Sequence, residues 1–139
     1  MKKLQFLILI FLVFILGCSK SDNTKLKPIE NTIIGKWTYI EYFFSTGAPG
    51  KWHPVTPANQ TIEFKSDGSF ISAESFLKDA TEFEIVDSVT IKFQPASTPS
   101  GYILMGYSIK TAERELYLSP VNPICIEGCS NKFKQWPLL

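Results

Sequence analysis

The chain has 139 residues, with 14 Lys and Arg against 13 Asp and Glu, and 11 Phe. A formal charge of +1 and a body without basic runs exclude the electrostatic footprint of a nucleic-acid binder. The length suits one domain of ordinary size, and the aromatic content lets a small β domain bury a real core.

Residues 1–17 read as an export signal. Lys2 and Lys3 form a basic n-region, Phe6 to Leu16 is an unbroken apolar run, and Gly17 places a small residue just before Cys18. The run is shorter than the roughly 20 apolar residues a bilayer-spanning helix needs. Ile15-Leu16-Gly17-Cys18 resembles the bacterial lipobox, in which the signal is cut before the Cys and that Cys receives lipid. By this resemblance Cys18 is the mature N-terminus and carries several acyl chains, which suffice for stable membrane anchoring where one does not. The other readings are a plain secretory signal with Cys18 left as a free thiol, or an uncleaved anchor. Cutting before Cys18 removes Lys2 and Lys3, so the body that remains is slightly acidic.

Residues 18–31 form a polar tether with Pro28 as its stiff point, and they lack the apolar content that offsets ordering entropy. Ser19 after the Cys, with no Asp there, resembles the outer-membrane sorting pattern of known lipoproteins. Either face of that membrane is compatible with the pattern. The folded domain is then expected over 32–139.

From Ile33 to Phe44 both alternating faces are apolar, with Trp37, Tyr39 and Phe43 on one and Ile40, Tyr42 and Phe44 on the other. Such a strand is expected to be central or covered. Ser45 to Gln60 holds two Gly and three Pro, which predicts a long loop carrying Trp52 and His53. Thr61 to Lys65 and Ser69 to Ser72 flank Ser66-Asp67-Gly68, a hairpin pattern with Ile62, Phe64 and Phe70 inward. Ser75 to Ala80 has no clean period and reads as a short helical turn or loop.

A second hairpin spans Thr81 to Gln94 around Asp87-Ser88. Phe83, Ile85, Val89, Ile91 and Phe93 are expected inward, and Glu82 and Glu84 on the solvated face. Pro95 to Gly101 is a loop. Tyr102 to Lys110 is extended, with Gly106 as a candidate bulge. Thr111 to Arg114 turns the chain into a short strand over Leu116 to Leu118. Pro120 to Gly128 is a loop, and Asn131 to Trp136 a last strand. About eight short strands without an amphipathic helix predict an antiparallel barrel or sandwich.

Three stretches together, Ile34-Gly35-Lys36-Trp37, Thr61 to Phe70, and Cys125-Ile126-Glu127-Gly128-Cys129, resemble the lipocalin-like domains of Bacteroidetes lipoproteins. The likeness covers Ile33 to the C-terminus. It implies an all-β, up-and-down, calycin-type barrel with one open mouth and with Gly35 and Trp37 plugging the other end. Arg114 is the candidate for the basic residue that such barrels pack over their Trp. An eight-stranded barrel is just wide enough to be filled by side chains or to hold one small ligand.

Cys125 and Cys129 in an exported domain predict a local disulfide. Two Cys and the lone His53 do not make a metal site, so no metal and no cofactor is expected. His53 has no nucleophile motif or acidic orienter beside it, and no catalytic constellation is apparent, which points away from an enzyme. Phe43, Phe44 and Trp52 are the rim aromatics expected to touch a ligand. Asp87-Ser88-Val89 resembles a Bacteroidetes O-glycan site, with a plain turn as the other reading. The expected function is non-covalent binding of a small apolar or amphipathic molecule by an outer-membrane lipoprotein. The alternative is a filled barrel that docks another envelope protein or a glycan. Oligomeric state is not encoded in any motif.

Overall fold

The computed structural model describes residues 32–45, 47 and 49–136. The expected signal peptide over 1–17, Cys18 and the expected tether over 18–31 lie outside the described residues. Within them the domain is all-β, with nine strands in one antiparallel sheet. These are β1 (Gly35–Phe44), β2 (Lys51–Pro54), β3 (Thr61–Phe64), β4 (Phe70–Ser72), β5 (Glu82–Ile85), β6 (Thr90–Gln94), β7 (Ile103–Lys110), β8 (Glu115–Asn122) and β9 (Ser130–Gln135). Among the described residues the helical content is a single 3₁₀ turn, Ser75–Leu77. No helix among the described residues is long and apolar enough to cross a membrane.

The strands follow the order β4-β3-β1-β9-β8-β7-β6-β5, with β2 also on β1. β2 pairs with Glu41 to Phe44 and β3 with Gly35 to Thr38, so the two run along successive halves of one neighbour. Between them Val55 N donates to Ile40 O and Tyr39 N donates to Gln60 O, at 3.1 and 2.8 Å. They act as one interrupted stave, and the sheet becomes an eight-stave meander. Closure comes from the Ser69 and Glu82 bridge, with Phe70 N bonded to Thr81 O at 2.7 Å and Phe83 N to Gly68 O at 2.9 Å. Only this seam is thin, which leaves the barrel nearly closed and almost without a free edge.

Turn chemistry sets the hairpins. Asp67 Oδ1 accepts from Ser69 N at 2.9 Å, and Gly68 supplies the left-handed φ of +85° that closes the turn. Asp87 Oδ1 takes Val89 N in the same way at 2.8 Å. The Ser69 hydroxyl, which also donates to Asp67 Oδ1 at 2.6 Å, and these backbone bonds to the charged forms hold both carboxyls below their ordinary range.

Alternation then fills the closed half. Phe64 meets Phe70, Phe83 and Phe93 with ring centroids 5.1, 5.0 and 6.0 Å apart. Ile91, Met105, Leu116, Leu118 and Phe133 are fully buried around them. Trp37 is 1% exposed, and its Nε1 donates to Ile33 O at 2.8 Å, so the chain enters the barrel at this filled end. Arg114 contacts Gln135 through Nε at 3.4 Å beside this end. On the outer surface of the second hairpin, Glu84 pairs with Lys92 at 2.6 Å and Glu82 with Gln94 at 3.2 Å.

Four local expectations are corrected. The predicted loop over Ser45 to Gln60 contains β2, because its four residues borrow the hydrogen-bonding edge of β1 despite the surrounding Pro and Gly. β8 runs on through Pro120, which is possible because β9 leaves β8 after Leu118 and the β7 register shifts at Leu104/Met105. That shift replaces the bulge expected at Gly106. Ile85 and Val89, expected inward, are 49% and 59% exposed, since the tip of their hairpin extends past the short β4 and finds no neighbour there.

Candidate functional site

An antiparallel meander sends alternate connections to opposite ends. Trp37 and Ile33 close one end, so Ser45, Gly50 and residues 73–81, 95–102 and 123–129 gather at the other. There the barrel opens into a cavity of about 530 Å³. Met105, Pro120 and Asn131 form its strand wall, Phe76 and Ile103 its second side, and Pro123, Ile124, Cys125 and Cys129 its loop side. Leu77 and Ala80, both buried, hold the segment behind Phe76 in the gap that short β4 leaves.

The polar groups of this space are few. On its wall the Asn131 side chain accepts a hydrogen bond from the Tyr39 hydroxyl. Burial, then the charge of Glu74, pushes the Tyr39 hydroxyl up from its ordinary pKa. Glu74 itself is 5% exposed and accepts from Phe76 N at 2.9 Å, capping the 3₁₀ turn. Burial raises its pKa, and the backbone hydrogen bonds of the turn oppose that rise.

A second, smaller cavity of about 180 Å³ adjoins the first and shares Phe76 and Ile103 as walls. Its other walls include Leu77, Ala80, Pro95 and Ala96, with Asp79, Ser97 and Thr98 as the polar ones. Ser97 Oγ donates to Asp79 Oδ2 at 3.0 Å, and Thr98 Oγ1 donates to Tyr102 O at 2.8 Å.

The structure brings the predicted rim aromatics together elsewhere. Between Tyr39 and Glu41, β1 advances two residues while β9 advances one, from Phe133 to Lys132. Ile40 is the extra residue of a β-bulge, which reverses the facing of everything after it. Phe43 therefore leaves the Trp37 face and joins the outside of the barrel. Trp52, its partner across β2, goes with it, at 5.4 Å between ring centroids. Neither Phe43, Phe44 nor Trp52 is among the cavity walls. Phe44 and Tyr42 take the inward phase at the rim, where Tyr42 stacks on His53 at 5.3 Å.

On the outer face the Lys132 ammonium lies 4.5 Å from the Trp52 ring and 5.7 Å from Tyr117, and is bonded to Glu41. Trp52 meets Tyr117 edge to face at 5.8 Å, so a cation-π stripe crosses β2, β1, β9 and β8. Burial and a hydrogen bond to Glu115 push the Tyr117 pKa up to about 12. Gly50 lets the chain pass tightly over Phe43, since a Cβ there would sit 2.2 Å from the ring.

Cys125 and Cys129 stand at disulfide distance, with Cα atoms 5.7 Å apart. Their role as cavity walls was not evident from spacing. The other wall residues escaped sequence reading because Phe76 lies in an aperiodic segment and Asn131 in an unremarkable strand. The parity of the connections would have pointed to them once Trp37 fixed the closed end. Among the described residues no cluster of His, Cys, Asp and Glu could hold a metal ion. No family model and no curated protein matches the chain.

Proposed function

We propose that this is a lipid-anchored envelope protein whose barrel mouth binds a small apolar or amphipathic molecule without covalent chemistry. The observation that carries the reading is the cavity of about 530 Å³, which falls within the range of ligand sites and has mostly apolar walls with a few convergent polar groups. The lipobox-like Ile15-Leu16-Gly17-Cys18 supports an outer-membrane anchor. Because the chain enters the barrel at the end opposite the mouth, a tether on that side leaves the cavity open to its surroundings.

A neutral naphthylamine dye whose emission rises in apolar surroundings tests the binding reading. Saturable enhancement at low micromolar dye is expected, displaceable by long-chain alcohols. Ile103→Trp, which fills the space from its half-buried wall, should abolish the signal while the far-ultraviolet spectrum stays that of an all-β protein. Equal dye binding in that variant would refute the cavity as the site.

The outer stripe of Phe43, Trp52, Tyr117 and Lys132 favours a second reading, an envelope protein or glycan docked on the barrel wall. Loss of a co-purifying partner from detergent-solubilised membranes in Trp52→Ala, with dye binding intact, would support it over the first.

A further inference from the structure

The two cavities at the mouth are not alike, and the difference bears on the ligand's head. The larger offers Met105, Pro120 and Ile103 to a hydrocarbon. The smaller one, across Phe76 and Ile103, offers Asp79, Ser97 and Thr98. Asp79 takes a hydrogen bond from Ser97, and a carboxylate can accept several, so acceptor capacity remains at that wall. Neither cavity has a Lys, Arg or His among its walls. A second carboxyl, Glu74, caps the turn that carries Phe76. The nearest base on this segment, Lys78, is exposed and outside both sets of walls.

We infer that the mouth selects a single-chain amphiphile with a cationic, N–H-bearing head, its chain against Met105 and Pro120 and its head toward Asp79, and that it discriminates against carboxylates. This rests on the ligand-binding reading above. A fatty acid would bring its charge to a site of the same sign with no base to receive it, whereas an alkylammonium meets a partner of opposite sign. At a few ångströms and an effective dielectric between those of protein and water, one such charge contact changes affinity by on the order of tenfold. Reaching both spaces takes the ligand past Phe76 and Ile103, the side chains the two cavities share.

Displacement of the neutral dye from the full chain by dodecylamine, dodecanol and dodecanoate at neutral pH tests the inference. Dodecylamine should displace it about tenfold more effectively than dodecanol, and dodecanoate less effectively than either. Asp79→Asn, an exposed substitution outside the core, should bring dodecylamine down to the level of dodecanol and leave dodecanol unchanged. Dodecanoate equal to or better than dodecylamine, or an amine preference unaltered in Asp79→Asn, would overturn the inference. Dodecanol binding without head selectivity would overturn it and spare the cavity reading, while failure of all three amphiphiles to displace the dye would overturn both.

Discussion

The Tyr39 hydroxyl donates to Asn131 Oδ1 across the β1 and β9 pair, joining residues 92 apart in sequence at the wall of the mouth. This contact lies where the filled half of the barrel gives way to the cavity. Below it Tyr39 stacks on Phe133 at 4.8 Å, and beyond it the interior is no longer filled.

Tyr39→Phe should therefore keep the packing and lose the bond. A buried polar group left without its partner costs about 1–3 kcal/mol, and water reaching Asn131 from the cavity places this case at the lower end. A urea midpoint lowered by that energy divided by m, at unchanged m, is expected. An unchanged midpoint would show that the bond contributes nothing to folding.

Glu74 gives a pH dependence of definite sign. Its folded pKa is raised above the ordinary 4.5, so the folded state prefers the protonated form. Its contribution is fully present below that ordinary value and is lost as pH rises through the raised one. Glu74→Gln mimics the protonated carboxyl and retains an oxygen for Phe76 N. Thermal melts should show wild type and variant close at low pH, with the variant gaining relative stability toward neutrality. A gap that moves the other way would contradict burial as the dominant cause.

Much of the barrel could be read in the chain because its signals are local. Asp67-Gly68 and Asp87-Ser88 mark turns through bonds made within three residues, and the alternation around Phe64, Phe93 and Leu116 states which side is inward. Trp37 was legible as a buried residue for the same reason. The positions of Phe43 and Trp52 were not, because one bulge at Ile40 reverses their facing and its cause lies in the register with β9, far away in sequence. β2 was hidden likewise. Its residues Lys51 to Pro54 have no strand signal of their own and become extended only because β1 presents an unpaired edge. The cavity is a property of two loops, 73–81 and 123–129, meeting the ends of β7, β8 and β9, which no single window of sequence contains.

Thr38 offers a stabilising substitution. It is 2% exposed, and its Oγ1 is the buried side-chain polar atom with no hydrogen-bond partner among the described residues. Thr38→Val replaces the hydroxyl with a methyl of nearly the same shape, removing a desolvation cost of about 1 kcal/mol or more. The melting temperature should rise by several degrees in a domain of this size. A fall would indicate that the hydroxyl is satisfied in solution.

The Cys125 and Cys129 pair both closes the 123–129 loop and walls the cavity, so its removal should separate two effects. With so short a loop, the loss of unfolded-state restraint lies at the low end of the disulfide range, about 2 kcal/mol or less. Pro123 and Ile124 are carried by the same loop, and once unstapled they no longer hold the cavity wall in one place. Cys125→Ser combined with Cys129→Ser is thus expected to lower the melting temperature modestly yet speed dye release severalfold. If Cys18 carries lipid, the denatured wild-type chain should also show no reactive thiol, whereas two titratable thiols would contradict the disulfide. Dye release unchanged in the double variant would show that the staple serves folding alone and that the loop keeps its place over the cavity through its own packing.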